Sequence, residues 1–217
     1  MTPLNEQAYQ HLQELIMQGL FTYNRIYSET KLSKELGISR TPFRDAVHRL
    51  AQEGYIDIIP SKGFMLHQLT HQDIDETFQV RSALECYCTL AISKAHRSRP
   101  AKRLFKELHI LTDHLREILE SGGSIEEFCE YDFQFHTKII EYSANRQFSS
   151  IFATFKYRMR KLAELSLAHE GRMLDTCNEH LAIVEAMEKG DVEHIYEITL
   201  THMDTAREIN LDDLTTS

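Results

Sequence analysis

The chain has 217 residues and a formal net charge of −9 at pH 7, with 24 Lys and Arg against 33 Asp and Glu. This length suffices for two domains that each bury a core. No apolar run approaches the roughly 18 residues of a membrane helix and no secretion signal begins the sequence, so we expect a cytoplasmic protein that is not attached to a membrane.

The acidic charge is confined to the second part of the chain. Residues 1–70 carry 7 Lys and Arg and 7 Asp and Glu, whereas the remainder carries 17 and 26. A neutral segment with clustered arginines can bind phosphates, but an acidic segment repels them. Any contact with nucleic acid is therefore expected from the first part.

Three helices are predicted before residue 54. Apolar residues recur with helical spacing over residues 4–19. Ser28 is a suitable N-cap for a short second helix that Gly37 closes. Ser39-Arg40-Thr41-Pro42 then begins a third helix after a tight turn, because proline is tolerated in the first helical turn. This arrangement is typical of a helix-turn-helix.

A β-hairpin is predicted to follow the third helix. Residues 55–59 and 64–67 are β-prone and flank the turn Pro60-Ser61-Lys62-Gly63, whose tip is basic. Three helices and a hairpin predict a winged helix-turn-helix DNA-binding domain over residues 1–70.

The exposed face of the third helix carries side chains suited to reading DNA. Arg40, Thr41 and Arg44 lie on the face opposite its apolar stripe. The planar fork of arginine matches guanine O6 and N7, or two phosphate oxygens. Two arginines on a helix face are explained equally well as solvated charge, so the spacing alone leaves both interpretations open.

Residues 71–217 show no strand signal and predict an all-α bundle. Breaks at glycine, proline and asparagine divide it into about six helices, at residues 72–96, 99–120, 124–143, 146–168, 173–189 and 191–208.

Four polar residues fall on the apolar faces of three of these helices. Asp132 and His136 lie one turn apart on the third, and His180 and His202 lie on the last two. A single inward histidine is commonly a core residue with a hydrogen-bond partner, but three with an aspartate also suit a divalent ion. Imidazole and carboxylate ligands without thiolate are compatible with Zn, Ni, Mn or Fe.

Arg81 also lies on an inward face, that of the first helix of the bundle. A buried guanidinium needs an anion. Glu85, one turn later, could supply it, and so could the carboxylate of a bound ligand. Both interpretations remain open from the spacing.

The first part resembles the GntR family of bacterial repressors. The resemblance is carried by residues 32–47 (LSKELGISRTPFRDAV) and by Arg49-Leu50, Glu53-Gly54 and Lys62-Gly63. It implies base and phosphate contacts from Arg40 and Arg44, a phosphate contact from Arg49, and entry of Lys62-Gly63 into the minor groove. The arginine that some members carry before the second helix is absent, since Ser28-Glu29-Thr30 stands there, and Asn24-Arg25 replaces the usual Pro-Gly.

The second part resembles the FCD sensor domain of FadR-like GntR regulators. The matching residues are Asp132-Phe133-Gln134-Phe135-His136, Asn145, Glu179-His180, Gly190-Asp191 and His202. The resemblance implies that Asp132, His136, His180 and His202 bind a metal and that Arg81, followed by Glu85, faces a ligand. About six sensor helices rather than seven suggest the VanR-like branch.

The sequence thus predicts a homodimeric transcription regulator that binds a palindromic operator and responds to a small carboxylate effector. A repressor is expected rather than an activator. Two alternative functions compete with this one. A metal-dependent hydrolase would need a general base, which no fixed spacing supplies, and would not need the DNA-binding part. A regulator whose metal is purely structural is not distinguished by sequence.

Overall fold

The computed structural model describes residues 2–216, which form two compact units. The first unit ends at Leu69 and the second begins at Thr70. None of the described helices has an apolar stretch long enough to cross a bilayer.

Within the described residues, the first unit contains three helices and a two-stranded antiparallel sheet. They are α1 (Leu4–Met17), α2 (Glu29–Glu35), α3 (Arg40–Gln52), β1 (Ile56–Ile59) and β2 (Gly63–Leu66). The hydroxyl of Ser28 accepts a hydrogen bond from the Lys31 amide, as its predicted N-cap role requires, and Gly37 has a φ of 65° after α2. Phe43, Ala46, Val47 and Leu50 form the buried face of α3. The winged helix-turn-helix fold is confirmed.

The wing is anchored by a contact that the sequence did not reveal. Ile59 pairs with Gly63 at the turn end of the hairpin, while Tyr27 pairs with Phe64 through two main-chain hydrogen bonds of 2.7 and 3.1 Å. A Cβ atom on Gly63, whose φ is 131°, would lie 2.0 Å from the Tyr27 carbonyl oxygen. Only glycine fits at this crossing of the two backbones.

The second unit is an all-α bundle, as predicted. In chain order its described helices are α4 (His71–Lys94), α5 (Arg99–Ser121), α6 (Ile125–Tyr142), α7 (Arg146–Thr154), α8 (Lys156–Leu167), α9 (Arg172–Lys189) and α10 (Ile195–Thr216). Helix α4 packs chiefly against α10, and α5 packs against α6 and α9.

The described bundle contains one helix more than the about six that the sequence predicts. The helix predicted over residues 146–168 is divided at Phe155 into α7 and α8, so the described part of the second unit contains seven helices. No glycine or proline marks the break, and buried Phe152 and Met159 continue the apolar spacing across it. The helix count therefore gives no ground for the VanR-like branch. The last helix also begins four residues later than predicted and extends to Thr216.

Candidate functional site

Three buried imidazoles converge in the second unit. They belong to His136 on α6, His180 on α9 and His202 on α10, and one ring nitrogen of each lies within 4.8 Å of the others. Nε2 of His136 lies 3.4 Å from Nε2 of His202. The folding of α6, α9 and α10 thus joins residues up to 66 positions apart in the chain.

Asp132 completes the group. Its Oδ1 lies 3.4 Å from Nε2 of His180 and 3.7 Å from Nε2 of His136. Burial raises the pKa of the carboxyl, but the hydrogen bond and charge of His136 and the charge of His180 outweigh burial and hold it well below its usual value. The structure therefore brings together the four residues predicted as metal ligands, and the carboxylate among them is ionised.

His180 lacks the partners that a buried histidine normally has. Neither ring nitrogen has a hydrogen-bond partner in the described structure. The ring stacks on Phe135, with centroids 4.0 Å apart and planes 5° apart. Burial first, and then the neighbouring His202, hold the pKa of His180 well below its usual value. A neutral imidazole with a free nitrogen facing a carboxylate and two further imidazoles fits the ligand set of a divalent ion.

Two glutamates lie behind the cluster and orient two of its rings. Oε2 of Glu85 lies 2.5 Å from Nδ1 of His136, and Oε2 of Glu179 lies 2.6 Å from Nδ1 of His202. A carboxylate accepts, so each Nδ1 carries the proton, and in its neutral form each ring would present the Nε2 lone pair to the cluster. This outer carboxylate arrangement is common behind metal-binding histidines.

Each of these glutamates also binds an arginine. Nε of Arg81 donates to Oε1 of Glu85 over 3.0 Å. The terminal nitrogens of Arg172 donate to the two carboxylate oxygens of Glu179 over 2.6 and 2.8 Å. Burial raises the pKa of Glu85, but His136 and Arg81 outweigh it and lower the value to about 2. The cluster is thus backed by two Arg–Glu–His chains.

Only part of these chains is predictable from the sequence. Glu85 is expected as a partner of Arg81, which the structure shows, but its contact with His136 is not expected. Neither Arg172 nor the role of Glu179 is signalled by the sequence. The terminal nitrogens of Arg81 make no hydrogen bond to the residues that the structure describes, so they are free to bind an anion.

Two cavities reach the cluster, and Arg81, Asp132 and His136 line both. Beyond the shared residues the first is lined mostly by apolar side chains, among them Phe133, Phe152 and Met159, together with Arg160. The second is more polar. Its additional polar lining residues are Ser166, Arg172, Thr176 and His202.

The predicted DNA-binding residues lie at the surface of the first unit. Arg40, Thr41 and Arg44 are exposed along the first turns of α3. In the described part of this unit, neither arginine forms an ion pair. Lys62 is exposed next to Gly63 at the hairpin turn.

Arg49 differs from these arginines. Its guanidinium lies 2.8 Å from Glu6 and 3.0 Å from Glu53, and its Cζ atom is 3.7 Å from the centroid of the Tyr9 ring. It thus joins α1 to the end of α3. Sequence reasoning missed this structural role, and its contact with phosphate stays a prediction.

Comparison with known proteins identifies both units. The family model for the FCD domain matches residues 76–205, and the model described as bacterial regulatory proteins, gntR family, matches residues 4–66. The first of these covers more than half of the chain.

Similar proteins are regulators over most of their length. The HTH-type transcriptional regulator YdhC of Bacillus subtilis is 27% identical over 93% of this chain and 88% of its own length. The HTH-type transcriptional repressor RspR of Escherichia coli is 22% identical over 93% and 86%. A protein of Paenarthrobacter nicotinovorans named "probable D-xylose utilization operon transcriptional repressor" is 29% identical over 86% and 79%.

Solved structures share the fold. McbR/YncC of E. coli superimposes with a TM-score of 0.73 at 20% identity and covers 99% of this chain and 100% of its own. A structure described as the metal-free FCD domain of TM0439 has a TM-score of 0.57 at 20% identity and covers 69% and 99%.

The family matches and the relatives are transcriptional regulators rather than enzymes, which decides against the hydrolase alternative. The chain is a DNA-binding transcriptional regulator that belongs to the GntR family of bacterial regulatory proteins and carries an FCD domain.

Proposed function

We propose that this regulator is a homodimeric repressor whose helical unit binds one divalent transition-metal ion and a small carboxylate effector. Residues 1–70 would bind a palindromic operator, and residues 71–217 would sense the effector. The division of the chain at Leu69 and Thr70 supports this assignment, and the repressor names of two relatives support the sign of regulation.

The observation that carries the metal proposal is the convergence of Asp132, His136, His180 and His202 around the unpaired Nε2 of His180. Nitrogen and oxygen donors suit Zn, Ni, Mn or Fe. A bound ion would attract a carboxylate oxygen to an open coordination position. The buried imidazole would otherwise leave polar groups unsatisfied, at a cost of about 1–3 kcal/mol.

Arg81 carries the effector proposal. Its Nε is held by Glu85, while its terminal nitrogens have no partner in the described residues and the side chain lines both cavities. A guanidinium held in this way can form charge-assisted hydrogen bonds to a carboxylate. The cavities beside the cluster therefore favour an effector-binding metal over a purely structural one.

Operator binding is assigned to Arg40, Thr41, Arg44 and Arg49 on α3 and to Lys62 and Gly63 on the wing. Exposure and the absence of ion pairs at Arg40 and Arg44, within the described residues, support direct base and phosphate contacts. Arg49 can add a phosphate contact only from its exposed edge, because two carboxylates already hold it.

The test compares the wild type with Arg81→Met in the zinc-loaded protein. Operator affinity is measured by fluorescence anisotropy while a panel of carboxylates is added. We expect a carboxylate to release operator from the wild type, whereas Arg81→Met retains metal and operator binding but loses the response.

Arg103→Met is the matched control. Arg103 also binds a glutamate one turn later, at 3.0 Å from Glu107, but its side chain is 84% exposed and lines neither cavity. A full response in Arg81→Met would make Arg81 a structural partner of Glu85. An equal response without any metal would make the ion structural.

A further inference from the structure

Helix α4 is apolar on its outer face as well as on its inner one. Its inward side, which includes Ile74 and Ile92, is buried in the bundle. The opposite side is at the surface of the second unit, and between Glu76 and Lys94, a length of about five turns, it carries no charged side chain. The exposed face of α5, by contrast, is mostly charged. A long outer face without charge is typical of a surface that another element covers.

The outer residues of α4 form one continuous stripe. Four of them lie on a line along the helix, at intervals of seven, four and seven positions: Glu76, Ala83, Tyr87 and Lys94. The residues that flank this line are apolar and partly buried, namely Val80, Leu90 and Ala91. Tyr87, near the middle, is 60% exposed. These seven residues are called the α4 stripe below.

Aromatic side chains of two other helices widen the stripe. Tyr196 of α10 is 54% exposed, and its carbonyl oxygen lies 3.8 Å from Sγ of Cys86 on α4. Phe148 of α7 packs edge-on against Tyr87, with ring centroids 5.5 Å apart. A stable interface buries roughly 800 Å² on each partner, which takes more than one helix, and its centre is rich in aromatic residues. The apolar surface around Tyr87 has this composition.

The two ends of the stripe carry opposite charges that match a second copy of the chain. Glu76 and Lys94 are exposed, neither forms an ion pair within the described part of the chain, and each stands nine positions from position 85. In an antiparallel pair of α4 helices with a two-fold axis at the level of position 85, Glu76 of each copy faces Lys94 of the other. Ala83 and Tyr87, each two positions from 85, also face each other, so a small residue lies opposite a large one.

Other arrangements of two copies fit less well. A parallel pair in register would bring Glu76 against Glu76 and Lys94 against Lys94, and like charges across an interface are repulsive. It would also bring the two Tyr87 rings to one level. The stripe is therefore complementary to itself in the antiparallel direction.

From these observations we infer that the α4 stripe is the surface on which two copies of the second unit associate, with their α4 helices antiparallel across a two-fold axis. The inference rests on the proposed homodimer and adds to it the contact surface and its register. Tyr87 is assigned to the centre of the contact, and the pairs between Glu76 and Lys94 close its two ends.

Charge reversal tests the register. Sedimentation velocity of the full chain without DNA, from nanomolar to micromolar concentration, measures the dissociation constant of the dimer. Glu76→Lys and Lys94→Glu should each raise this constant about tenfold, because two attractive pairs become repulsive. The double variant Glu76→Lys, Lys94→Glu should return it to within about threefold of the wild type, since opposite charges face each other again. The effect of each single variant should shrink in 1 M salt.

A charge at the centre of the stripe tests the apolar contact. Tyr87→Glu should raise the dissociation constant about a hundredfold or more, because it buries two unpaired carboxylates in the interface. Ile110→Glu is the matched control, since Ile110 is 56% exposed on α5, outside the stripe. It should leave the constant unchanged. Circular dichroism should show the wild-type helix content in both variants, because both side chains are exposed.

Each contrary result has a defined meaning. A dimer that Tyr87→Glu leaves intact would overturn the inference and leave the proposed homodimer standing. Dissociation by Ile110→Glu would place the interface on another face, with the same consequence. If the single charge reversals have no effect, or if the double variant does not recover, the antiparallel register is overturned. If the wild type is a monomer at micromolar concentration, both the inference and the proposed homodimer fall.

Discussion

The two units carry their functional charges in opposite ways. In the first unit Arg40, Arg44 and Lys62 are exposed, and the two arginines form no ion pair with the residues described. In the second unit Arg81 and Glu85 are buried and bound to each other and to the histidine cluster. The exposed charges of the first unit can therefore be changed without disturbing its fold, whereas the proposed sensor site and the core around it are the same set of contacts.

The strongest test of this comparison is removal of a proposed metal ligand. We expect His180→Ala to reduce the metal content from about one ion per chain to nearly none, because the other donors converge on its Nε2. The wild type should gain about 4 kcal/mol of stability when free metal exceeds its Kd a thousandfold, and the variant should gain none. Elemental analysis of protein without a histidine tag, followed by thermal unfolding, measures both effects.

His114→Ala is the control for this experiment. The ring of His114 is partly exposed, lies 3.2 Å from Glu117 and packs against Tyr131, and it is not a member of the cluster. It should change neither metal content nor the stabilisation. Full metal occupancy in the triple variant His136→Ala, His180→Ala, His202→Ala would rule out the site.

A second test compares the two outer carboxylates in the metal-free protein. Glu85→Gln should reduce the free energy of unfolding by about 3–5 kcal/mol, because it leaves the buried Arg81 without its counter-ion. Glu179→Gln should cost clearly less, since the Glu179 side chain is 25% exposed and water can compensate. Urea denaturation followed by circular dichroism measures the difference. An equal loss of unfolding free energy in the two variants would mean that burial does not determine how much each Arg–Glu–His chain contributes to stability.

A third test lies in the DNA-binding unit. Arg44→Ala should weaken operator binding by about 1–3 kcal/mol if it contacts a base, and Lys62→Ala should weaken binding to all sequences and reduce its salt dependence. Neither should change the melting temperature, since both side chains are exposed. Unchanged operator affinity in the Arg40→Ala, Arg44→Ala double variant would remove α3 as the reading helix.

Arg49→Ala serves as the contrast on the same helix. Because Arg49 binds Glu6 and Glu53 and covers Tyr9, its loss should destabilise the first unit by about 1 kcal/mol. An unchanged melting temperature would show that these contacts contribute nothing measurable.

The smallest expected signal comes from the thiols, all four of which are free, buried and in the second unit. Burial is the main cause that raises the pKa of Cys86 to about 12 and that of Cys88 to about 11. At pH 8 roughly one Cys88 thiol in a thousand and about one Cys86 thiol in ten thousand is then the reactive thiolate, and the fraction rises with pH. Iodoacetamide should label the native protein only slowly and the urea-unfolded protein fully. Rapid labelling of the native state would show that this unit opens readily.

Local sequence patterns predicted most of the helices and the convergence of four polar residues in the core of the second unit. The inward faces of α6, α9 and α10 follow from apolar spacing, and each carries its histidine on that face. Residues that share an inward face must meet in a core, so the cluster could be expected before any coordinates. Pairs of residues one helical turn apart, such as Arg81 and Glu85, could likewise be recognised from their spacing alone.

Contacts between distant segments could not be predicted in this way. Glu85 and His136 are 51 residues apart, and Arg49 and Glu6 are 43 apart. Their pairing depends on how helices pack, which no periodicity records. The break at Phe155 was not predicted for another reason. The apolar repeat continues across it, and only the backbone geometry of the folded bundle separates α7 from α8.

The crossing of Gly63 and Tyr27 limits how operator preference could be redesigned. A library that randomises the wing would lose its members with any side chain at position 63, because the carbonyl of Tyr27 occupies that space. Ser61 has a φ of 62° and would accept mainly glycine, asparagine or aspartate. Lys62 is thus the position at the hairpin turn where diversity can be introduced freely, and new specificity would have to come mostly from α3.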